Sequence, residues 1–580
     1  MPEPAGDRGS LDQPPSPVTR TERWHVAWLL IAAAIVLLWP THAWKSYRNV
    51  MEAVRLYEVR AIVEDGTFCI DRQIKEYGDL NGRASVDGRA YSDKPIGLSL
   101  AAVPAYWAMH RIGSWTGVDW TMQALRYAAA ALCVTLPTIL IGGVMYRAWR
   151  SMGIAHGLSM LGVGVYLFGS LATPYSTQFV GHQPAAVLVF GHFALSRSFT
   201  KTTPGWMFAL AGLMAGWGAM TDYFSAFAHA IIGLSYARRP RWTGLAWGAF
   251  GALIGFAPLL IHNAITFGGP LSPAYAHEAT KEFTAQHTTG FHGVVWPRWE
   301  SVAGLLISRE KGLLVLCPYV AMAIAGAVVG VMNPRWRREA IVCAASVLTV
   351  GFLACSVLEW KAGWTIGPRH MVSVMPLIMT LVVMAVSRWK LLTPWLAIFG
   401  LASGAVMLGA TFTLPAFDAA FGNPIAEQTA YLVREGALTT TIGSSIGWPR
   451  WWALAVPAAA VLLAVWLIGH AIRRELLRGY GVSTIAAIVA VSCGGWWLLQ
   501  DHPTEPRQRV TAQAKLAGYL DHHDVKAATL ERALAADPSP TLWGAAGPML
   551  VTAYHDMGDT ARAREATDRW KNGIGAAKRP

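Results

Sequence analysis

Acidic and basic side chains are scarce in this 580-residue chain, and three short clusters hold the ones whose spacing could do chemistry. In Glu52-Ala-Val-Arg55-Leu-Tyr-Glu58 the charged residues fall at i, i+3 and i+6, so a helix would carry them on one broad face. Glu64-Asp65-Gly66 follows closely. Tyr91-Ser92-Asp93-Lys94-Pro95 offers a lysine placed to meet an anion, and Pro95 suits the first position of a helix. Trp364-Thr-Ile-Gly367-Pro368-Arg369-His370 puts Arg369 at a helix start, where the dipole favours anions, so a negative group is expected beside it. Cations at helix starts, placed to meet an anion such as a phosphate, are the chemistry these residue types supply. Each cluster also has a plain reading, as an amphipathic interfacial helix, an ordinary helix start, or a salt bridge or headgroup contact.

Two further groups carry polar chemistry. Asp222, between two short apolar segments, is an acid near a membrane helix end and is read as a substrate contact. His182, His262, His277, His287 and His292 fall in expected loops or helix ends. Their spacings form no compact metal-ligand motif, so hydrogen bonding is favoured and no metal is indicated. His182 and His370 are kept as substrate contacts. Trp360 and Trp364 could stack on a sugar, although interface anchoring is the default for most of the 27 tryptophans.

The elements that position these clusters are membrane helices. Hydrophobic residues make up 53% of the chain and charged ones 14%, against about 25% charge in a soluble domain. The excess of 48 Lys and Arg over 35 Asp and Glu lies in small groups between apolar runs, which argues against a nucleic-acid partner. Six cysteines show no CxxC and read as small core residues. Apolar segments of crossing length lie at 24–39, 121–146, 153–172, 182–199, 205–219, 222–236, 243–262, 313–331, 339–357, 371–387, 393–411, 451–471 and 480–499, about 13 helices. The first looks like an uncleaved anchor after a polar cytoplasmic tail over 1–23.

Basic connections test that reading. Arg147/Arg150, Arg197/Lys201, Arg238/Arg239/Arg241, Arg335/Arg337/Arg338, Arg388/Lys390 and Arg473/Arg474/Arg478 fall on one side if Gly97–His110 is a juxtamembrane or re-entrant helix. The N-terminus is then cytoplasmic and the C-terminus external. External loops run over 44–119 and 263–312, and loops of that length usually carry function. From residue 500 to 580 the composition changes to a charged, Ala-rich tail. Leu516–Pro538 and Met549–Trp570 each read as helix, turn, helix, with Tyr554, Gly558 and Ala563 at tetratricopeptide-like positions. A solvated hairpin that merely ends the chain is the plain alternative.

The order acid-x-x-Arg-x-x-Glu, then Asp-Lys-Pro, then an external Gly-Pro-Arg before a late helix resembles the polytopic glycosyltransferases of the GT-C superfamily. The likeness is greatest to family 39, with its protein O-mannosyltransferases and lipid A aminoarabinose transferase. It extends over roughly residues 1–410, including seven spans before a second large external loop. Those enzymes begin the pattern with Asp-Glu-x-Arg and use the Asp in catalysis; Glu52 and Ala53 stand there in this chain. Their Glu-Lys-Pro is matched by Asp93-Lys94-Pro95.

The resemblance implies an all-α GT-C-type membrane domain over 24–499. It also implies transfer of a sugar from a polyprenyl-phosphate donor to an envelope glycan, lipid or protein, outside the plasma (inner) membrane, with no cofactor. Glu52 would be the base, with Asp93 or Glu58 as alternatives. Lys94, Arg369 and Arg55 would hold phosphate, Arg as a two-pronged donor and Lys as a point charge. Membrane lipids are the other partners, and the tail is a candidate to bind a protein. A flippase of lipid-linked sugars would share the anion pocket without a base, and a non-catalytic envelope assembly protein would work through the tail.

Overall fold

A computed structural model describes residues 18–42, 49–236, 241–449, 451–476 and 480–575. Most of the 1–23 tail, the start of the 44–119 loop, Arg238, Arg239 and Arg478, and the side chains of Arg241 and Arg474, lie outside the described residues. Each of the thirteen apolar segments coincides with a helix. Among the described residues eight helices, rather than the thirteen expected, are long and apolar enough to cross a membrane: Arg20–Leu38, Met122–Ser151, Trp242–Phe267, Arg337–Cys355, Arg369–Arg388, Lys390–Phe412, Trp452–Arg473 and Gly481–Gln500. Three shorter apolar helices, His156–Gly169, Ser225–Tyr236 and Pro318–Met332, pack among them. The protein is a multi-pass, helical membrane protein.

Basic connections gather at one end of this bundle. Arg150 pairs with Glu22 at 3.2 Å, Arg197 with Glu339 at 3.2 Å, and Arg197 also donates to Ser151 Oγ at 3.1 Å. The other end collects different segments. The Thr41 N–H donates to the Thr440 carbonyl at 2.8 Å, Gln123 Nε2 to the Thr41 carbonyl at 2.9 Å, and His42 contacts Thr439 and Thr177 hydroxyls. All three sequence clusters belong to this second end. Gly97–Thr116 forms a 20-residue helix that fails the apolarity test for a span. It packs on the Val50–Arg60 and Met122–Ala130 helices and leaves Trp107, Ile112 and Trp115 exposed, as an interfacial helix should. It runs six residues past the expected end at His110.

Among the described residues one element, a two-stranded sheet, departs from an all-helical chain. Arg83–Val86 and Arg89–Ser92 pair antiparallel, with Arg83 opposite Ser92. Asp87-Gly88 makes the turn, both residues at positive φ, as a two-residue hairpin loop requires. The hairpin delivers Asp93 and Lys94 directly from its second strand.

The tail forms four helices, Pro506–Tyr519, His523–Ala536, Pro540–Asp556 and Thr560–Gly575. Turns fall where the sequence placed them, with Tyr554 and Ala563 buried against neighbouring helices. It does not hang free. Leu516, Leu520 and Val525 pack on Leu414, Phe421, Tyr431 and Leu432, and buried Glu427 accepts from Thr504 N–H at 3.0 Å and Thr504 Oγ1 at 2.7 Å. The tail therefore stands on the same end of the bundle as the clusters.

Candidate functional site

Val50–Arg60 is not the surface helix its charge pattern suggests. Glu52, Arg55, Glu58 and Arg60 are all buried, as are Ala53, Val54, Leu56, Tyr57 and Val59. Asn49 caps its start through a bond from Met51 N–H. The three charged residues of the first cluster point to three different surroundings. Glu52 accepts from Arg126 Nε at 3.1 Å, from Arg126 Nη2 at 2.9 Å and from the Phe179 N–H at 2.6 Å. Its carboxylate is thereby filled, and Glu52 does not line the cavity that Arg55 faces. Glu58 lies 3.6 Å from His262 Nε2, with Ser99 and Arg55 also near, and neither of its oxygens has a hydrogen-bond partner among the described residues. Burial pushes its carboxyl up to about 7. Glu64 is a structural hub that ties Arg60, Arg72 and Tyr106 together.

Arg55 faces a cavity of about 370 Å³, where it meets Lys94, Asp222, His182, Arg369 and His370. Its Nη1 donates to the Met51 carbonyl, and its Nε is unpartnered. Arg369 reaches the other side of the same residue, with Nη1 3.6 Å from Met51 Sδ and 3.3 Å from the Ala362 carbonyl. Among the described residues no carboxylate lies within ion-pair distance of Arg55 or Arg369. The negative group expected beside Arg369 is thus not supplied by a described side chain. Lys94 pairs with Asp93, whose Oδ1 stays unpartnered. Behind that pair, burial and then the Asp93 charge push Glu278 up to about 8, with His287 Nδ1 3.7 Å away. Apolar walls come from Phe224, Phe227, Phe291, Leu353 and Val357.

Close backbone approach assembles the far wall. A Cβ on either Gly97 or Gly181 would collide with the Met220-Thr221 segment. The starts of the 97–116 and 182–197 helices therefore press on the end of the 205–221 helix, bringing Lys94, His182 and Asp222 to one wall. His182 Nδ1 lies 2.8 Å from Asp222 Oδ2, and Asp222 Oδ1 accepts the Phe224 N–H at 3.2 Å. The His370 ring stands at 84° to that of His182, centroids 5.4 Å apart.

Of the nine residues given a site role from the sequence, six line this cavity, Arg55, Lys94, His182, Asp222, Arg369 and His370, and two of the histidines read as hydrogen-bonding, His287 and His292, line it as well. Asp93 and Glu58 sit behind its wall, and Glu52 is turned away. Tyr223 and Tyr275, which also line the cavity, and Arg126, which holds Glu52, were missed. Arg126 had a signal, since an arginine in an apolar helix needs a partner; the tyrosines had none. The loop beside the site is held by Lys311, whose Nζ donates to the Gly363 carbonyl at 2.9 Å and to Thr365 Oγ1 at 3.1 Å. Burial and then the Arg369 charge pull that ammonium down to about 7.

No protein-family model matches the chain, and no curated protein matches it. Among solved structures the chain is similar to ArnT from Cupriavidus metallidurans bound to undecaprenyl phosphate. Identity there is 15%, covering 90% of this chain and 82% of that one, with a TM-score of 0.45. The same protein in the apo state gives 14% identity, 78% of each chain and a TM-score of 0.43.

Proposed function

We propose that the protein is an integral membrane glycosyltransferase that moves a sugar from a polyprenyl-phosphate donor to an envelope acceptor, on the external side of the plasma membrane. One observation carries the reading. Arg55, Lys94 and Arg369, drawn from three separate clusters, line a single cavity with apolar walls, and the two arginines have no carboxylate partner there. A buried guanidinium without a counter-ion is costly unless an anion arrives. A lipid-linked phosphate supplies that anion, and Phe227, Leu353 and Val357 suit the first isoprene units. The gathering of basic connections at the opposite end supports a cytoplasmic N-terminus and an external site and tail.

In this reading the acceptor hydroxyl attacks the anomeric carbon and the sugar–phosphate bond breaks. The electron pair leaves on phosphate, where the cations stabilise it. The proton goes to a carboxylate, and we assign that role to Asp93. Glu52 has its oxygens filled by Arg126 and Phe179, and Asp222 has one oxygen on His182 and the other on Phe224. Glu58 and Asp93 both sit behind the cavity wall with unpartnered oxygens, and Asp93 is preferred because its ion pair with the cavity-lining Lys94 holds it beside the cations. A flippase would need the anion site but no base.

The experiment is turnover by purified protein with a polyprenyl-phosphate sugar. Release of polyprenyl phosphate, lost by about 100- to 10,000-fold in Asp93→Asn, is expected. Donor left chemically intact by the wild type would favour the flippase, and a fully active Asp93→Asn would return the base to Glu52 or Glu58.

A further inference from the structure

His182, Asp222 and His370 are far apart in the chain and share no sequence motif, yet each offers a ligand atom and all three atoms lie within 4.8 Å of one another. His182 begins one helix, Asp222 ends another, and His370 sits in the turn Arg369–Val374. We propose that these three side chains form a site for a divalent transition-metal ion on the cavity wall.

Unused ring nitrogens are the first support. His182 Nε2 and His370 Nδ1 are both buried and both lack a hydrogen-bond partner among the described residues. Buried polar atoms are nearly always satisfied, so two orphaned imidazole nitrogens on one wall call for a ligand. The 2.8 Å contact between His182 Nδ1 and Asp222 Oδ2 accounts for neither of them. The second support is spacing. Bonds of about 2.0–2.2 Å to nitrogen and oxygen put adjacent ligand atoms roughly 3 Å apart. The three ligand atoms lie within 4.8 Å of one another, close to that separation.

Donor chemistry selects the class of ion. Two imidazoles and one carboxylate suit zinc, manganese, iron or cobalt, whereas calcium and magnesium prefer all-oxygen sets. Three protein ligands on one face leave positions open toward the cavity, where Arg55 and Arg369 stand. A divalent ion held by one aspartate keeps a net positive charge, so an open position takes an oxygen of an anion. That this anion is the donor phosphate rests on the glycosyltransferase reading; the metal site itself rests only on the three side chains.

The test uses full-length protein in detergent, stripped with chelator and titrated with Co²⁺ while visible absorption and bound metal are measured. One Co²⁺ per chain with d–d bands, displaced by Zn²⁺, is expected. Asp222→Asn and His370→Gln should each weaken binding by at least about tenfold, and His192→Gln, deeper in the same helix, should leave it unchanged. No stoichiometric Co²⁺ in the wild type, or undiminished binding in both ligand variants, overturns the site. Polyprenyl phosphate is then added to the Co²⁺ form. A shift of the bands supports phosphate ligation. Unchanged bands with measurable lipid binding overturn the phosphate role and leave the metal site standing, and no lipid binding at all marks failure of the donor reading instead.

Discussion

The helix Val50–Arg60 carries two buried glutamates six residues apart that live in opposite electrostatic worlds. Glu52 has three N–H donors against it, two of them from the Arg126 guanidinium that matches its charge. Glu58 is equally buried with no hydrogen bond to either oxygen, and Arg55 between them lines a cavity and has an unpartnered Nε. A saturated pair on one side of a helix and unsatisfied groups on the other separate what holds the fold from what awaits a ligand. Burial alone does not distinguish them, because all three are under 4% exposed. The count of satisfied donors and acceptors does.

Breaking the saturated side should have the largest effect. Arg126→Met leaves the Glu52 charge buried and alone, and removing one partner of a buried pair costs about 3–5 kcal/mol. Thermal unfolding in detergent is expected to show a fall in Tm of several degrees, partly recovered in the double variant Glu52→Gln/Arg126→Met, which removes both charges. An Arg126→Met protein as stable as one carrying the exposed change Arg434→Met would mean that the pair is not a strut.

On the open side the expectation reverses. Arg369→Ala should leave Tm close to the wild type, since no described carboxylate loses a partner, and should weaken donor binding. A charge-assisted hydrogen bond contributes about 1.5–3 kcal/mol, which corresponds to roughly 10- to 150-fold in affinity. Arg369→Lys should recover only part of it, because an ammonium cannot make the two-pronged contact. Unchanged donor affinity in Arg369→Ala, measured with intact fold, would remove the phosphate site.

Much of the architecture was legible because charge is rare here. Apolar runs located the helices, although eight of the described ones rather than thirteen are long and apolar enough to cross, and Arg55, Lys94 and Arg369 stood out as cations in external clusters. What stayed hidden depends on contacts between distant segments. Nothing local in Glu52-Ala-Val-Arg55 says that Arg126, one turn into the next membrane helix, fills the Glu52 carboxylate. The 20-residue length of Gly97–Thr116 was underestimated because Trp107, Ile112 and Trp115 are interrupted by His110, Arg111 and Ser114, a mixture that suits an interface and breaks a hydropathy run. The hairpin before Asp93 was missed although Asp87-Gly88 is a recognised turn pair. The meeting of His182, Asp222 and His370 depends on the backbones of Gly97 and Gly181 touching one short segment, which no spacing rule reveals.

Glu58 sharpens the comparison through pH. Its folded carboxyl lies near 7, above the ordinary 4.5, so the folded state holds a proton that the unfolded chain has released. Stability from this group is complete below about pH 4.5 and is lost as pH rises through 7, by an amount on the order of 3 kcal/mol. Glu58→Gln removes the dependence. Its Tm should match the wild type near pH 4.5 and exceed it at pH 8; parallel curves across that range would show that the carboxyl is solvated or paired after all.

The smallest expected effect belongs to Lys311, which stands between the two regimes. It is buried like Glu52 and hydrogen-bonded like it, to the Gly363 carbonyl and to Thr365, yet these acceptors are neutral. Burial therefore pulls its ammonium down to about 7, where Arg369 also repels it. Lys311→Met gives up three hydrogen bonds at about 1 kcal/mol each and also lifts the cost of burying a charge, so the net change in stability should fall within about 1 kcal/mol. Function should register the loss more clearly, because the segment that Lys311 holds also supplies the Ala362 carbonyl that positions Arg369. A several-fold rise in KM for donor with kcat nearly unchanged is the expected split. The wild type should lose part of that advantage as pH rises through 7 and the ammonium deprotonates, whereas the methionine variant should show no such change; equal KM values at pH 6 would mean that Arg369 is placed without help from Lys311.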